Sequence, residues 1–218
     1  MRLYHFNCAK YGLENLSRGR LKIAEIDDLN DPFELRAFGS PLPHVRAALE
    51  KTRANLASSK GMLCFSRDWR NPVQWSHYAD KHKGLALGFD IPDRLLAPIS
   101  YRAHRIPADI PVLLAGGGSA LDLMTAGLTT KYSHWSYEKE VRVMAELNDK
   151  DPDTGLFFAP FSTELAIAEV IVGHCASISR GELADALGSL SSKVKVRKAR
   201  LAFGTFKVVE QRKASLWI

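Results

Sequence analysis

Apolar positions along the chain alternate in short runs, broken by a few stretches with helical spacing. Leu3 to Phe6 reads as a first strand, and Leu13 to Leu21 as a short helix and turn stopped by Gly19. Leu21 to Ile26 reads as extended. Asp27 to Glu34 is rich in turn residues around Asn30-Asp31-Pro32. Pro32 bars a helix at the residue before it, and Phe33 is expected to pin the turn into the core. In Pro43 to Ser58 the residues Val45, Ala48, Leu49 and Leu56 fall near the helical period of about 3.6 residues, and Gly61 marks the end. Met62 to Ser66 is a compact apolar strand. Asn71-Pro72 opens a helix with Asn71 as N-cap, Pro72 in the first turn and Gln74 placed as in a capping box; Gly84 stops it.

Leu85 to Phe89 reads as a buried strand. Residues 90 to 118 are irregular, with four prolines and then Gly116-Gly117-Gly118, a flexible loop without a P-loop context; Tyr101 sits in a short strand. Ser119 and Asp122 look like the cap of a helix running to about Thr130. Glu138 to Glu146 and Ala166 to Val172 read as strands, Ser179 to Leu190 as a helix capped by Ser179, and Val194 to Arg200 and Thr205 to Glu210 as closing strands. Strands neighbour strands in sequence, and helices do not alternate with them regularly. The pattern predicts an α+β fold with a mixed, mostly antiparallel sheet and flanking helices.

At 218 residues, 46% hydrophobic and 25% charged, the chain suits one domain over residues 1–218, with the basic strands of 191–218 packed on it. No leader and no bilayer-length apolar run is seen, so a cytoplasmic protein without a membrane partner is expected. Cys8, Cys64 and Cys175 are odd in number and far apart, which favours buried free thiols over disulfides or zinc. The net charge of +6 is uneven. From Ser191 onward eight basic residues face one acid, Glu210, a net of +7 that leaves −1 for residues 1–190. Such an end can attract phosphates of a nucleotide or a nucleic acid; a solvated strand face that aids solubility is the more frequent use.

Four segments can carry chemistry. In Glu138-Lys139-Glu140-Val141-Arg142, strand alternation puts Glu138, Glu140 and Arg142 on one face. Two carboxylates there can divide acid–base or charge-stabilising work, with Arg142 fixing Glu140 by a bidentate pair; an exposed charge ladder has the same spacing. In Gln74 to Asp80, Trp75 and Tyr78, with His82 beyond, share a helical face, a spacing that serves cores more often than ligands. His5 faces opposite to Tyr4 and Phe6, toward an open cleft or a structural partner, and Ser66 ends its strand with a free hydroxyl or a turn cap. Asn30 and Asp31 form a rigid turn, or face a ligand. No G-x-S-x-G, H-E-x-x-H or other metal pattern is present.

The ordered series Tyr4-His5-Phe6, Asn30-Asp31-Pro32-Phe33-Glu34, Cys64-Phe65-Ser66, Trp75-Ser76-His77-Tyr78-Ala79-Asp80, Gly84 to Phe89 and Trp135 to Arg142 resembles the bacterial domain of unknown function 2971 family. The resemblance spans roughly residues 1 to 175. More distantly, His5, then Ser66 or Tyr78, then the Glu138/Glu140 pair resemble the ordered elements of the ADP-ribosyltransferase superfamily. That resemblance implies an ADP-ribosyltransferase-like fold and NAD as substrate, in an enzyme acting as a toxin or defence effector. His5 would hold a ribose hydroxyl, and Tyr78 or Trp75 would stack on nicotinamide. Glu140 would stabilise the oxocarbenium-like state and Glu138 would orient the acceptor. The set expected at the site is Glu140, Glu138 and Tyr78 as catalytic residues, and His5, Ser66, Trp75, Asn30, Asp31 and Arg142 as nucleotide-binding residues, with no metal. Two other readings stand beside it: a silent nucleotide or nucleic-acid binding module using the basic C-terminal segment, and a hydrolase using the two glutamates without NAD.

Overall fold

A computed structural model describes residues 1–108 and 120–217. The expected Gly116–Gly118 loop and the Ser119 cap lie outside the described residues. Its main sheet is built, in chain order, from β1 (Arg2–Asn7), β2 (Ala24–Glu25), β3 (Lys60–Ser66), β4 (Leu85–Asp90), β5 (Ala97–Pro98), β6 (Glu140–Glu146), β7 (Ala166–Val172), β8 (Lys195–Leu201) and β9 (Val208–Glu210). The spatial order is β9-β8-β7-β4-β1-β3-β6-β5, with β2 pairing on β3. Only β7 and β8 run parallel within it. The sheet is therefore mixed and mostly antiparallel, in an α+β fold, as the pattern predicted.

The described helices are α1 (Ala9–Arg18), α2 (Pro43–Ala57), α3 (Pro72–Tyr78), α4 (Ala120–Leu128) and α5 (Arg180–Leu187). Period-two alternation sorts the strands between two cores. On one face Leu3, Phe65, Leu87, Phe89, Val141 and Val170 pack with Leu16 of α1 and Leu183 and Leu187 of α5. On the other, Trp75 of α3 packs with Ala86, Ile171, Ala199 and Val208, and Met62 packs with Ile26 and Leu128. The α5 N-terminus carries the reciprocal Ser179–Glu182 capping box. The expected Leu13–Leu21 helix begins four residues earlier and ends at Arg18, because Gly19 takes the left-handed conformation (φ 60°).

One discontinuity in the sheet positions everything that follows. β1 is paired with β4 from Arg2↔Asp90 to Asn7↔Leu85. β3 is paired with β6 from Glu140↔Ser66 to Glu146↔Lys60. Between these two halves the register holds at a single pair, Tyr4↔Ser66. Beyond it β1 and β3 part, and β2 takes up the free edge of β3 at Met62 and Gly61. A ladder that ends leaves backbone carbonyls without partners. His5 fills that need: its Nδ1 lies 2.8 Å from the Cys64 carbonyl oxygen. No helix among the described residues is long and apolar enough to cross a membrane. The cysteines are free, but Cys8 and Cys64 are only partly buried and Cys175 is exposed, against the expectation that all three are buried.

Candidate functional site

A cleft of about 250 Å³ opens where β1 and β3 part. His5, Asn30, Glu34, Ser66, Gln74, Tyr78, Lys131, Glu138 and Glu140 all line it. Thus residues separated by up to 135 positions in the chain meet in one cavity.

The two glutamates reach it differently from the expectation. The strand begins at Glu140; residues Ser133–Glu138 form a 3-10 turn, closed by Lys139 in the left-handed region (φ 47°). Glu138 is thus not a strand residue on a shared face with Glu140 and Arg142. The turn brings its carboxylate back over the cleft, where Lys131 joins the two acids. Lys131 Nζ donates to Glu138 Oε2 at 2.7 Å and to Glu140 Oε2 at 3.0 Å. Its ring neighbour is Trp135, with the ammonium 4.9 Å from the ring centroid.

Behind Glu140 stands Arg142, 0% exposed. Its Nε donates to Glu140 Oε1 at 2.7 Å, Nη2 to Glu34 Oε1 at 2.7 Å, and Nη1 to the Leu128 carbonyl at 2.8 Å. Arg142 therefore faces the core and positions Glu140; it does not line the cleft, contrary to its expected place among ligand-binding residues. Burial pushes the Glu140 carboxyl up, but Arg142 and Lys131 outweigh burial and hold it at about 2. Burial also dominates at Glu138, whose carboxyl is raised despite Lys131 and Tyr78. Three acids share two cations in this network, so one negative charge is left over.

Tyr78 closes the opposite wall. Its hydroxyl gives a short hydrogen bond to Glu138 Oε1 and receives one from Asn30 Nδ2 at 2.6 Å. Burial and the Glu138 carboxylate push the phenol well above its ordinary range, so it stays a donor at neutral pH. Ser66 Oγ donates to the Glu138 carbonyl at 2.6 Å, so its hydroxyl is committed to holding the 3-10 turn. Gln74 does not build the expected capping box. Asn71 caps α3 alone, while Gln74 Nε2 reaches Ser66 Oγ at 3.0 Å and the Glu138 carbonyl at 2.7 Å. Gln74 Oε1 and Glu34 Oε2 are buried without a hydrogen-bond partner among the described residues.

At the floor, burial lowers the His5 pKa and keeps the imidazole neutral. A carbonyl only accepts, so Nδ1 carries the proton toward Cys64 and Nε2 is left as an acceptor.

Besides Arg142, two further expected members stand elsewhere. Trp75 is 0% exposed. Its indole N–H bonds the Trp69 carbonyl at 2.6 Å and its ring meets Phe6 edge-on at 5.2 Å. Helix α3 ends at Tyr78, and Asp80, Lys81 and His82 all take positive φ, so the face predicted for Trp75, Tyr78 and His82 does not continue. Trp75 is core and does not reach the cleft. Asp31 is buried too, its Oδ1 accepting the Phe33 N–H at 2.9 Å in a local turn. That turn is not anchored by Phe33, which is 53% exposed with the Arg105 guanidinium 5.9 Å from its ring.

Sequence reasoning missed Lys131, Glu34 and Gln74 as site residues. Lys131 comes from a short strand, Thr130–Tyr132, paired with Ser100–Arg102, and no spacing ties it to the E-x-E element. Glu34 lay within the quoted Asn30 to Glu34 motif, and that motif was the available signal. In the basic C-terminal segment, Lys198 is buried on the carbonyls of Gly173 and Ala176 at 2.8 and 2.6 Å, and Arg197 pairs with Glu169 and Glu210. Part of the +7 is thus spent inside the fold. No cluster of three or more metal-ligating side chains occurs among the described residues. Comparison with protein-family models, with curated proteins and with solved structures finds no match.

Proposed function

We propose that the protein is an NAD-consuming enzyme of the ADP-ribosyltransferase type. The observation that carries this reading is the convergence of His5, Tyr78, Glu138 and Glu140 on one cleft with a surplus negative charge. A cleft of that sign favours a cationic group and a transition state that gains positive charge. The pyridinium end of NAD supplies the first, and an oxocarbenium-like ribose the second.

At about 250 Å³ the cleft lies just under the roughly 300–1,000 Å³ of pockets for drug-sized ligands, so it suits one end of a dinucleotide. An adjoining cleft of about 380 Å³ shares Lys131 and presents Arg36, Arg102 and Arg105, a chemistry for phosphates. In the reaction the ribose C1′–N bond breaks and its electron pair goes to nicotinamide, which leaves neutral. The Glu140 carboxylate, fixed by Arg142 and Lys131, steadies the cationic ribose. The acceptor oxygen or nitrogen then bonds C1′, and its proton passes to Glu138. His5 Nε2 accepts from a ribose hydroxyl, and Tyr78 holds Glu138 in place.

The test is calorimetric titration with NAD together with chromatographic detection of released nicotinamide. Binding plus release, lost in Glu138→Gln, supports an enzyme. Binding without release favours a silent nucleotide-binding module. Absence of NAD affinity, with Glu140→Gln changing nothing, removes the reading.

A further inference from the structure

The hairpin joining β8 to β9 turns through Ala202-Phe203-Gly204-Thr205-Phe206-Lys207. Phe203 is 96% exposed and Phe206 99%, and Leu201 beside them is half exposed. Two rings left wholly in water, three positions apart on one turn, form an apolar point of the kind that burial in a partner relieves. The turn is firmly presented. Its stem is closed by Ala202 N–H to the Lys207 carbonyl at 2.9 Å, and Val208, fully buried, donates to the Arg70 carbonyl at 2.9 Å.

Cations surround this point. The Arg200 guanidinium sits 4.6 Å from the Phe203 ring centroid. Lys207 is on the turn and Arg70 is tied to its base. The Lys81–Lys83 turn lies at the same end of the sheet, because Cys175 N–H bonds the His82 carbonyl and Lys198, three residues before Leu201, bonds the Gly173 carbonyl. Arg70, Lys81, Lys83, Arg200 and Lys207 form no ion pair with a described residue. Two acids lie close to them in the chain: Asp80 beside Lys81, and Asp68, whose Oδ1 accepts the Arg70 N–H at 2.9 Å.

We infer that this hairpin docks the protein on an anionic lipid surface, with Phe203 and Phe206 entering the acyl boundary and the cations meeting lipid phosphates. Charge complementarity selects the partner, and shape selects it further. Rings at the apex of a convex point with cations set behind them match the depth order of a bilayer interface, apolar inside and phosphate outside. Single-stranded nucleic acid asks instead for rings lining a basic groove. The inference does not depend on the nucleotide reading of the cleft, which lies elsewhere on the sheet.

The experiment is co-sedimentation of the full chain with phosphatidylcholine vesicles, with and without phosphatidylglycerol, at low and high salt. The wild type is expected to pellet only with phosphatidylglycerol present, and less at high salt. Phe203→Ser/Phe206→Ser should lower partitioning at least about tenfold with its melting temperature unchanged. Lys207→Ser should lower it about fivefold. Should the double variant fail to fold, Phe206→Trp reports directly, with blue-shifted emission of the added indole expected on anionic vesicles alone. The inference is overturned by a wild type that stays in the supernatant, by equal pelleting of the double variant, or by unshifted emission from the Phe206→Trp variant. Retention by a single-stranded oligonucleotide, or ring-dependent self-association, in place of vesicle binding also overturns it.

Discussion

The Glu140–Glu146 strand and the Lys195–Leu201 strand both carry charge at short intervals, yet the sheet treats them in opposite ways. β6 lies inside, between β3 and β5, and its Glu140 and Arg142 are buried. Their partners arrive from two other segments, as Glu34 and Lys131. β8 lies one strand from the edge, and Lys195 stays in water while Lys198 is buried against carbonyls alone. Burial of charge follows from whether the rest of the chain delivers opposite charge, as at Glu140, or carbonyl oxygens, as at Lys198, because an ion left without partners in a dry site costs several kcal/mol. The first region concentrates charge around a cavity. The second holds Lys198 and Arg197 on partners within the fold and turns Lys195, and the rings beyond the strand, outward.

The strongest way to break this contrast is Arg142→Ala. It leaves Glu140 and Glu34 buried against a single cation, and urea denaturation should show a loss of about 3–5 kcal/mol. Acid is the next lever. The Glu140 carboxyl is held at about 2, below its ordinary 4.5, so the stabilisation it contributes is complete above about 4.5 and is lost as pH falls toward about 2. That loss is on the order of 3 kcal/mol. Glu138, raised by burial, works in the reverse sense, favouring the fold at low pH and withdrawing that support as pH rises. Denaturation midpoints measured across this range should flatten in Glu140→Gln; an unchanged acid limb would contradict the assignment.

Glu138→Gln separates function from stability. It removes the surplus charge, so nicotinamide release should fall about a hundredfold while the fold is kept. At the basic end, Lys198→Met strips a donor from two carbonyls and should cost about 1–3 kcal/mol. Lys195→Met, exposed on the same strand, should stay within about 0.5 kcal/mol. Equal costs for the two lysines would erase the distinction between the inner and outer uses of basic charge.

Much of the frame was legible in the chain. Leu85 to Phe89 is apolar on both faces and Ala166 to Val172 is apolar except at Glu169, and both became inner strands; Asn71-Pro72 and Ser179 began helices where their side chains can accept first-turn N–H groups. The site was legible in Glu138, Glu140, His5 and Tyr78, but not in Glu34. It failed at Trp75, since helical spacing says which residues share a face but not whether that face meets solvent. It failed at Glu138 as a strand residue, because alternation cannot signal the left-handed Lys139 that ends the turn before it.

By itself, then, the order of residues determined the alternation of most strands, the helix starts at Pro43, Pro72 and Ser179, and the local pairing of Arg142 with Glu140, all interactions set within a few positions of the chain. The tertiary structure alone decided that β1 and β3 part beyond Tyr4↔Ser66, that Lys131 lands between two glutamates, and that two phenylalanines stand outermost. Register between distant strands is fixed by the summed burial of both faces, and no local pattern contains that sum.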